Sequence, residues 1–203
     1  MKIALFGGTG GTGREVLLQA LEQGHRVQAL ARTPARLPAG RDGLTVIPGD
    51  VLAPPAVAAC VAGADAAICV LGTRGGEPIE ARGTQVILAA MQAQGVRRLI
   101  AVTSLGVGDS RDQIPFFFKV MMQLGLRKIM AAKEEQERLI RQSDLDWTIV
   151  RPGGLTDGPR TGNYVYGLQK DLVARRISRA DVAEFVLLQL ADDRFVRQTP
   201  AVS

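Results

Sequence analysis

Lys2-Ile3-Ala4-Leu5-Phe6, a short apolar run, leads without a spacer into Gly7-Gly8-Thr9-Gly10-Gly11-Thr12-Gly13. An apolar set at helical spacing follows at Val16, Leu17, Ala20 and Leu21. The order strand, glycine turn, helix restricts the chain to folds that open on a strand feeding straight into a helix. In that setting Gly7 allows the tight turn, Gly10 lets the backbone approach a ligand's phosphates, and Gly13 lets the helix pack on the strand. The N–H groups at the helix start then face an anion, aided by the helix dipole. The expected ligand is the pyrophosphate of a dinucleotide, with Gly7, Thr9, Gly10, Gly11, Thr12 and Gly13 around it.

The same alternation continues along the chain. Strands are expected at Lys2–Phe6, Arg26–Ala31, Leu44–Ile47, Ala66–Leu71, Arg98–Thr103 and Trp147–Val150. Helices are expected at Gly11–Gln23, Pro55–Ala62, Glu80–Gln94 and about Pro115 to Arg141. A last helix starts near Ser178, where Ser178 and Asp181 form a capping pair, and runs through Val182–Leu190. Near-continuous apolar strands such as Ala67-Ile68-Cys69-Val70-Leu71 suit a parallel sheet covered on both faces. The fold class is therefore α/β: one domain over residues 1–203, a doubly wound parallel sheet of the Rossmann type. Residues 156–176 are the least regular and read as a lid or excursion. Ligands in such sheets bind beyond the carboxyl ends of the strands. That rule singles out Gly7–Gly13, Arg32–Arg36, Gly49–Val51, Gly72–Gly76, Ser104–Asp109 and Arg151–Gly158.

The net charge of +5 raises the question of nucleic acid. The arginines are spread along the chain and only 4% of residues are aromatic, so no nucleic-acid surface is expected. A positive field equally suits an anionic cofactor. No apolar run spans a bilayer, and MKIALFGG is too short and glycine-rich for a signal peptide. A cytoplasmic protein without a membrane partner is expected, as a monomer or weak homo-oligomer. Cys60 and Cys69 read as buried free thiols, His25 as a turn residue, and no metal site is expected.

The end of the second strand reads the adenosine ribose in a dinucleotide site. Here it carries Arg32 and Arg36, with no acid between Arg26 and Arg41, which selects a 2′-phosphate and hence NADP(H), against the reading of both as solvated helix-start residues, which suits Arg36 better than Arg32. Asp50, in Gly49-Asp50-Val51, has two readings: an acceptor for the adenine amino group, or a turn cap. Val51, Gly72, Thr73, Arg74, Pro152, Gly153, Gly154 and Leu155 complete the cofactor-binding candidates at the strand ends.

The GxxGxxG spacing fits the short-chain and extended dehydrogenases better than the two-domain ones. Short-chain dehydrogenases commonly carry Tyr-x-x-x-Lys on the helix after the fifth strand, where the tyrosine donates the proton. The literal match Tyr166-Gly-Leu-Gln-Lys170 follows the sixth strand instead and reads as coincidence. The expected position reads Ile129-Met130-Ala131-Ala132-Lys133, so the lysine is kept and the tyrosine is not. Matching pieces are Phe6-Gly-Gly-Thr-Gly-Gly-Thr-Gly13, Gly49-Asp50-Val51-Leu52, Val70-Leu71-Gly72-Thr73-Arg74, Val102-Thr103-Ser104 and Arg151-Pro152-Gly-Gly-Leu-Thr-Asp157, with Thr161-Gly162 after them. On these the chain resembles the atypical short-chain dehydrogenases with an NmrA-like NAD(P)-binding domain, and within them the biliverdin-IXβ reductase/flavin reductase group. The resemblance implies NADPH binding at Gly7–Gly13, Arg32, Asp50, Leu71–Arg74 and Thr103, and a substrate site near Ser104. The reductase group has histidines where this chain has Gly154 and Lys133, and the segment Leu105-Gly-Val-Gly-Asp109 also departs from it.

Hydride transfer to an isolated carbonyl needs an acid for the developing alkoxide. Without the tyrosine, the expected reaction is NADPH-dependent reduction of a planar conjugated acceptor, a free flavin such as FMN or a biliverdin-like tetrapyrrole. Ser104 and Lys133 are the catalytic candidates, against a backbone-capping hydroxyl and a solvated lysine paired with Glu137. Phe116-Phe117-Phe118 and Met121-Met122 either wall a pocket or, as the stronger reading, seat a helix on the core. The alternative from another class is a non-catalytic NADP(H) sensor of the NmrA-like type. An epimerase lacks an evident acid/base pair, and a quinone or aldehyde reductase stays within the enzyme class.

Overall fold

The computed structural model describes residues 1–38, 40–73, 75–113, 127–168 and 175–203. Strand β1 (Lys2–Phe6) is flanked by β2 (Arg26–Ala31) and β4 (Ala66–Cys69), all parallel. The sheet continues outward to β3 (Leu44–Pro48) on one side and to β5 (Arg98–Val102) and β6 (Asp146–Pro152) on the other. The parallel order β3-β2-β1-β4-β5-β6 is that of a Rossmann sheet. Its switch point lies between β1 and β4, beyond whose carboxyl ends the glycine turn sits.

Alternation along β1 explains why its sequence is apolar throughout. Ile3 and Leu5 face one layer, where they join Leu17 of α1 (Gly11–Glu22) and Phe185 of α5 (Arg179–Leu188). Ala4 and Phe6 face the other layer, with Val57 of α2 (Pro54–Val61), Ile87 of α3 (Glu80–Gln94) and Ile140 of α4 (Arg127–Arg141). All nine of these side chains are fully buried. Burying one of the larger ones is worth about 1.5–3 kcal/mol. Gly95 ends α3 in the left-handed region (φ 70°).

The expected strands and helices are present, with ends moved by one or two residues in places. β4 stops at Cys69, so Leu71 lies in the loop beyond it, and α5 stops at Leu188 rather than Leu190. Of the helix expected over 115–141, the described part is Arg127–Arg141. Phe116, Phe117, Phe118, Met121 and Met122 lie outside the described residues. Four short strands were not foreseen. β7 (Gly154–Thr156) pairs with β9 (Arg176–Ser178) as a separate two-stranded ladder. β10 (Ala201–Val202) extends the main sheet beyond β6, and β8 (Tyr166–Gly167) closes its edge antiparallel to β10. No described helix is long and apolar enough to cross a membrane.

Candidate functional site

The three motif glycines have different physical reasons. Gly7 sits at φ 92°, and a Cβ on it would lie 2.3 Å from the Val70 carbonyl oxygen of the loop after β4. A Cβ on Gly13 would lie 2.1 Å from the Gly7 carbonyl oxygen, so the first turn of α1 can seat against the strand end only with glycine there. At Gly10 a Cβ would meet just the Gly7 oxygen, at 3.4 Å, which is ordinary contact. The protein itself therefore leaves the space above Gly10 open. Gly10 is the N-cap of α1; no side chain caps the helix, and its first turn contains no acid. Orphan N–H donors, the helix dipole and an open glycine face together fit the phosphates of a dinucleotide.

The turn opens into a cleft of about 300 Å³ between the ends of β1, β2, β3 and β4. Gly7, Thr9 and Gly10 form its floor, and Arg32 and Arg36 border it from the end of β2. Val51, Leu71, Gly72 and Thr73 line the far side. Thr12 and Gly13 are buried in the turn, and a Cβ on Gly11 would meet the side chain of Arg179 of α5. Asp50 Oδ1 accepts the Leu52 N–H at 2.8 Å, which is the turn-cap geometry, while Oδ2 stands 4.0 Å from Arg32 Nε. Arg32 is 71% exposed there, so its fork remains available to a ligand. Arg74 lies outside the described residues.

The remaining candidates gather next along the sheet, beyond β5 and β6 and outside the cleft. Ser104 Oγ donates to the Leu105 carbonyl at 3.0 Å, and Lys133 Nζ to the Thr103 carbonyl at 3.4 Å. Lys133 does not take Glu137 as a hydrogen-bonding partner. Glu137 accepts from the Thr103 hydroxyl at 2.7 Å and from Arg151 at 3.0 and 2.6 Å. Burial pushes the Lys133 ammonium below its ordinary pKa, and the charges of Glu80 and Glu137 work against that. Pro152 ends β6 with its carbonyl accepting the Leu105 N–H. Gly153 is fixed by backbone, since a Cβ there would lie 2.2 Å from the Arg175 oxygen. Gly154 and Leu155 are spent on β7, with Leu155 exposed.

One buried carboxylate, Glu80, escaped the sequence reading, and another, Glu137, has a partner other than the lysine considered for it. Glu80, fully buried at the start of α3, accepts both the N–H and the hydroxyl of Thr73 at 2.9 Å and so fixes the loop at the cleft wall. Glu137 and Arg151 form a buried pair that reaches Asp109 at 2.7 Å, tying the loop after β5 to α4 and β6. An acid in a helix's first turn was the signal available for Glu80. Nothing in the sequence pairs Glu137 with Arg151.

Tyr166 lies three strands beyond β5, its ring 4.8 Å from that of Phe185 and 6.1 Å from that of Phe195. The Tyr166…Lys170 match is thus not assembled at the end of β5; Lys170 itself lies outside the described residues. The described part of segment 156–176 is fastened to α5. Asp181 accepts the N–H groups of Thr161 and Gly162 at 2.7 and 2.9 Å, besides its capping bond with Ser178.

A protein family described as NAD(P)H-binding matches residues 7–193. An uncharacterized chloroplastic protein of Arabidopsis thaliana is 34% identical over 93% of this chain and 72% of its own length. The photosystem II assembly factor Ycf39 of Synechocystis is 24% identical over 98% of this chain, which spans 61% of that protein's length. Among solved structures, ChuY, an anaerobillin reductase from Escherichia coli O157:H7, superposes with a TM-score of 0.83 at 28% identity, covering 100% of this chain and 96% of that one.

Proposed function

The chain belongs to the NAD(P)H-binding family, and from that premise we propose that it is an NADPH-dependent reductase of a planar conjugated acceptor, a free flavin such as FMN or a biliverdin-like tetrapyrrole. The observation that carries this reading is where the tyrosines and the histidine lie. The sequence holds two tyrosines and one histidine. Tyr164 and Tyr166 pack on Phe185 at the sheet's outer edge, and His25 precedes β2 at the opposite end of the sheet from the glycine turn. No phenol or imidazole stands at the end of β5. A ketone or aldehyde would form a localised alkoxide that needs such an acid. A flavin or bilin spreads the incoming charge over its ring system and can take its proton from water. ChuY supports the class, since a bilin acceptor is what this reading requires.

The roles then follow from the described geometry. The open face of Gly10 and the free N–H groups of α1 would hold the cofactor's phosphates, and Arg32 and Arg36 the 2′-phosphate. When bound, NADPH supplies the hydride. Ser104, at the end of β5, would turn from the Leu105 carbonyl to a polar group of the acceptor. Lys133, held near Thr103 by its carbonyl, would face an anionic group of cofactor or acceptor. The protein mainly contributes proximity and orientation. Loss of turnover in Ser104→Ala or Lys133→Ala, with NADPH still bound, tests these roles. Unchanged turnover in both removes them.

One observation favours a second reading, an NADP(H)-binding regulator. Ser104 and Lys133 are both engaged with backbone carbonyls, as purely structural side chains would be. A regulator would bind NADPH and reduce no acceptor.

A further inference from the structure

Arg179 is the first residue of α5, and its side chain lies across Gly11, the first residue of α1. A methyl on Gly11 would stand 2.7 Å from Arg179 Cδ and 2.8 Å from Nε. The guanidinium donates through Nη1 to Asp157 Oδ1 at 2.5 Å. Arg179 is 21% exposed, whereas Asp157 is 90% exposed. This placement runs against helix electrostatics. A helix N-terminus carries partial positive charge and favours acids, so an arginine at the first position of α5 is unfavourable for its own helix. It also stands beside the positive end of α1, whose first turn has neither acid nor side-chain cap. A mostly covered cation and two helix N-termini converge, and the countercharge comes from a carboxylate reaching in from solvent.

We propose that Arg179 is a pyrophosphate-binding residue of the cofactor site and that Asp157 is its place-holder, a carboxylate that occupies the guanidinium until the dinucleotide replaces it. Asp157 then competes with the cofactor's phosphates and sets the affinity. The proposal rests on the glycine turn being the dinucleotide site and is independent of which acceptor is reduced. The Asp157 end of the pair is open to solvent and screened by it, so the carboxylate is readily displaced. Guanidinium and phosphate form a stronger, charge-assisted contact.

The test is a binding cycle on the full chain by calorimetry, with NADPH and with 2′-AMP, which has the 2′-phosphate but no pyrophosphate. Arg179→Gln should weaken NADPH about tenfold or more and leave 2′-AMP unchanged, with partial rescue in Arg179→Lys. Asp157→Asn should tighten NADPH several-fold in the wild-type background and have no effect on Arg179→Gln. Equal NADPH affinity in wild type and Arg179→Gln overturns the proposal, as does an Asp157→Asn effect that persists without Arg179. If Arg179→Gln does not fold, weakened or unchanged NADPH binding in Asp157→Asn alone overturns it. Wild-type protein that binds 2′-AMP and NADPH equally tightly also overturns it, since no pyrophosphate contact then contributes. Wild-type protein that binds neither ligand overturns the dinucleotide reading itself.

Discussion

Gly10→Ala and Gly13→Ala separate a glycine required by a ligand from one required by the fold. Gly13→Ala places a methyl 2.1 Å from the Gly7 carbonyl oxygen. The turn must open by roughly 1 Å before that contact becomes ordinary. Overpacking of this kind costs about 1–3 kcal/mol. In a domain of this size each kcal/mol moves the melting temperature by roughly 2–4 °C. Gly13→Ala should therefore melt roughly 2–12 °C below wild type. Gly10 has φ −82° and ψ 165°, extended backbone that alanine adopts freely, and its methyl would meet just one atom, at 3.4 Å. Alanine at a compatible glycine stabilises by about 0.4–1 kcal/mol through the unfolded chain. Because alanine serves less well than glycine at a helix N-cap, that gain is offset and Gly10→Ala should melt close to the wild-type temperature. Its methyl fills the face left open for phosphate, so NADPH affinity should fall about tenfold or more. Thermal melts followed by fluorescence titration with NADPH read both quantities. Wild-type NADPH affinity in Gly10→Ala, or a wild-type melting temperature in Gly13→Ala, would refute the assignment of roles.

Arg32→Ala should weaken NADPH by roughly 10- to 100-fold and leave NADH unchanged, read by parallel titrations; equal losses for both would deny Arg32 the 2′-phosphate. Glu137→Gln leaves Arg151 a buried cation with Asp109 as its remaining carboxylate, and should cost about 3 kcal/mol in urea unfolding; a loss under about 1 kcal/mol would show the pair to be marginal. The Asp181 carboxyl titrates below its ordinary value, because burial, which alone would raise it, is outweighed by the Gly162 and Thr161 N–H groups and the Ser178 and Thr161 hydroxyls. Since the folded value lies below the unfolded one, its stabilisation is complete above about pH 4 and is lost as pH falls through the folded value. Asp181→Asn should flatten this acid limb of the stability curve; an unchanged limb would contradict it.

Where the sequence was legible, the signal was local. β1, β2 and α3 have the bounds their apolar patterns gave, because each pattern reports the faces its own element buries. The glycine turn was legible because the φ of Gly7 and the close approach of Gly13 to Gly7, six residues apart, belong to one short segment. β7 to β10 were not, since segments of two or three residues carry no alternation and exist by pairing with distant chain. The site's second half was half legible. Position at the end of β5 pointed to Thr103 and Ser104, and the Tyr-x-x-x-Lys spacing to Lys133, but the partner chosen by Glu137 depends on β6 lying beside β5, which no spacing encodes. Arg179 was invisible for the same reason: α1 and α5 meet only once the sheet is complete.

The most direct measurement is NADPH oxidation at 340 nm against FMN, FAD, riboflavin, biliverdin isomers, quinones and aldehydes, with NADH alongside. Turnover of FMN or a biliverdin with NADPH preferred over NADH is the expected result. Tight NADPH binding with no acceptor reduced would contradict the reductase and leave the regulator.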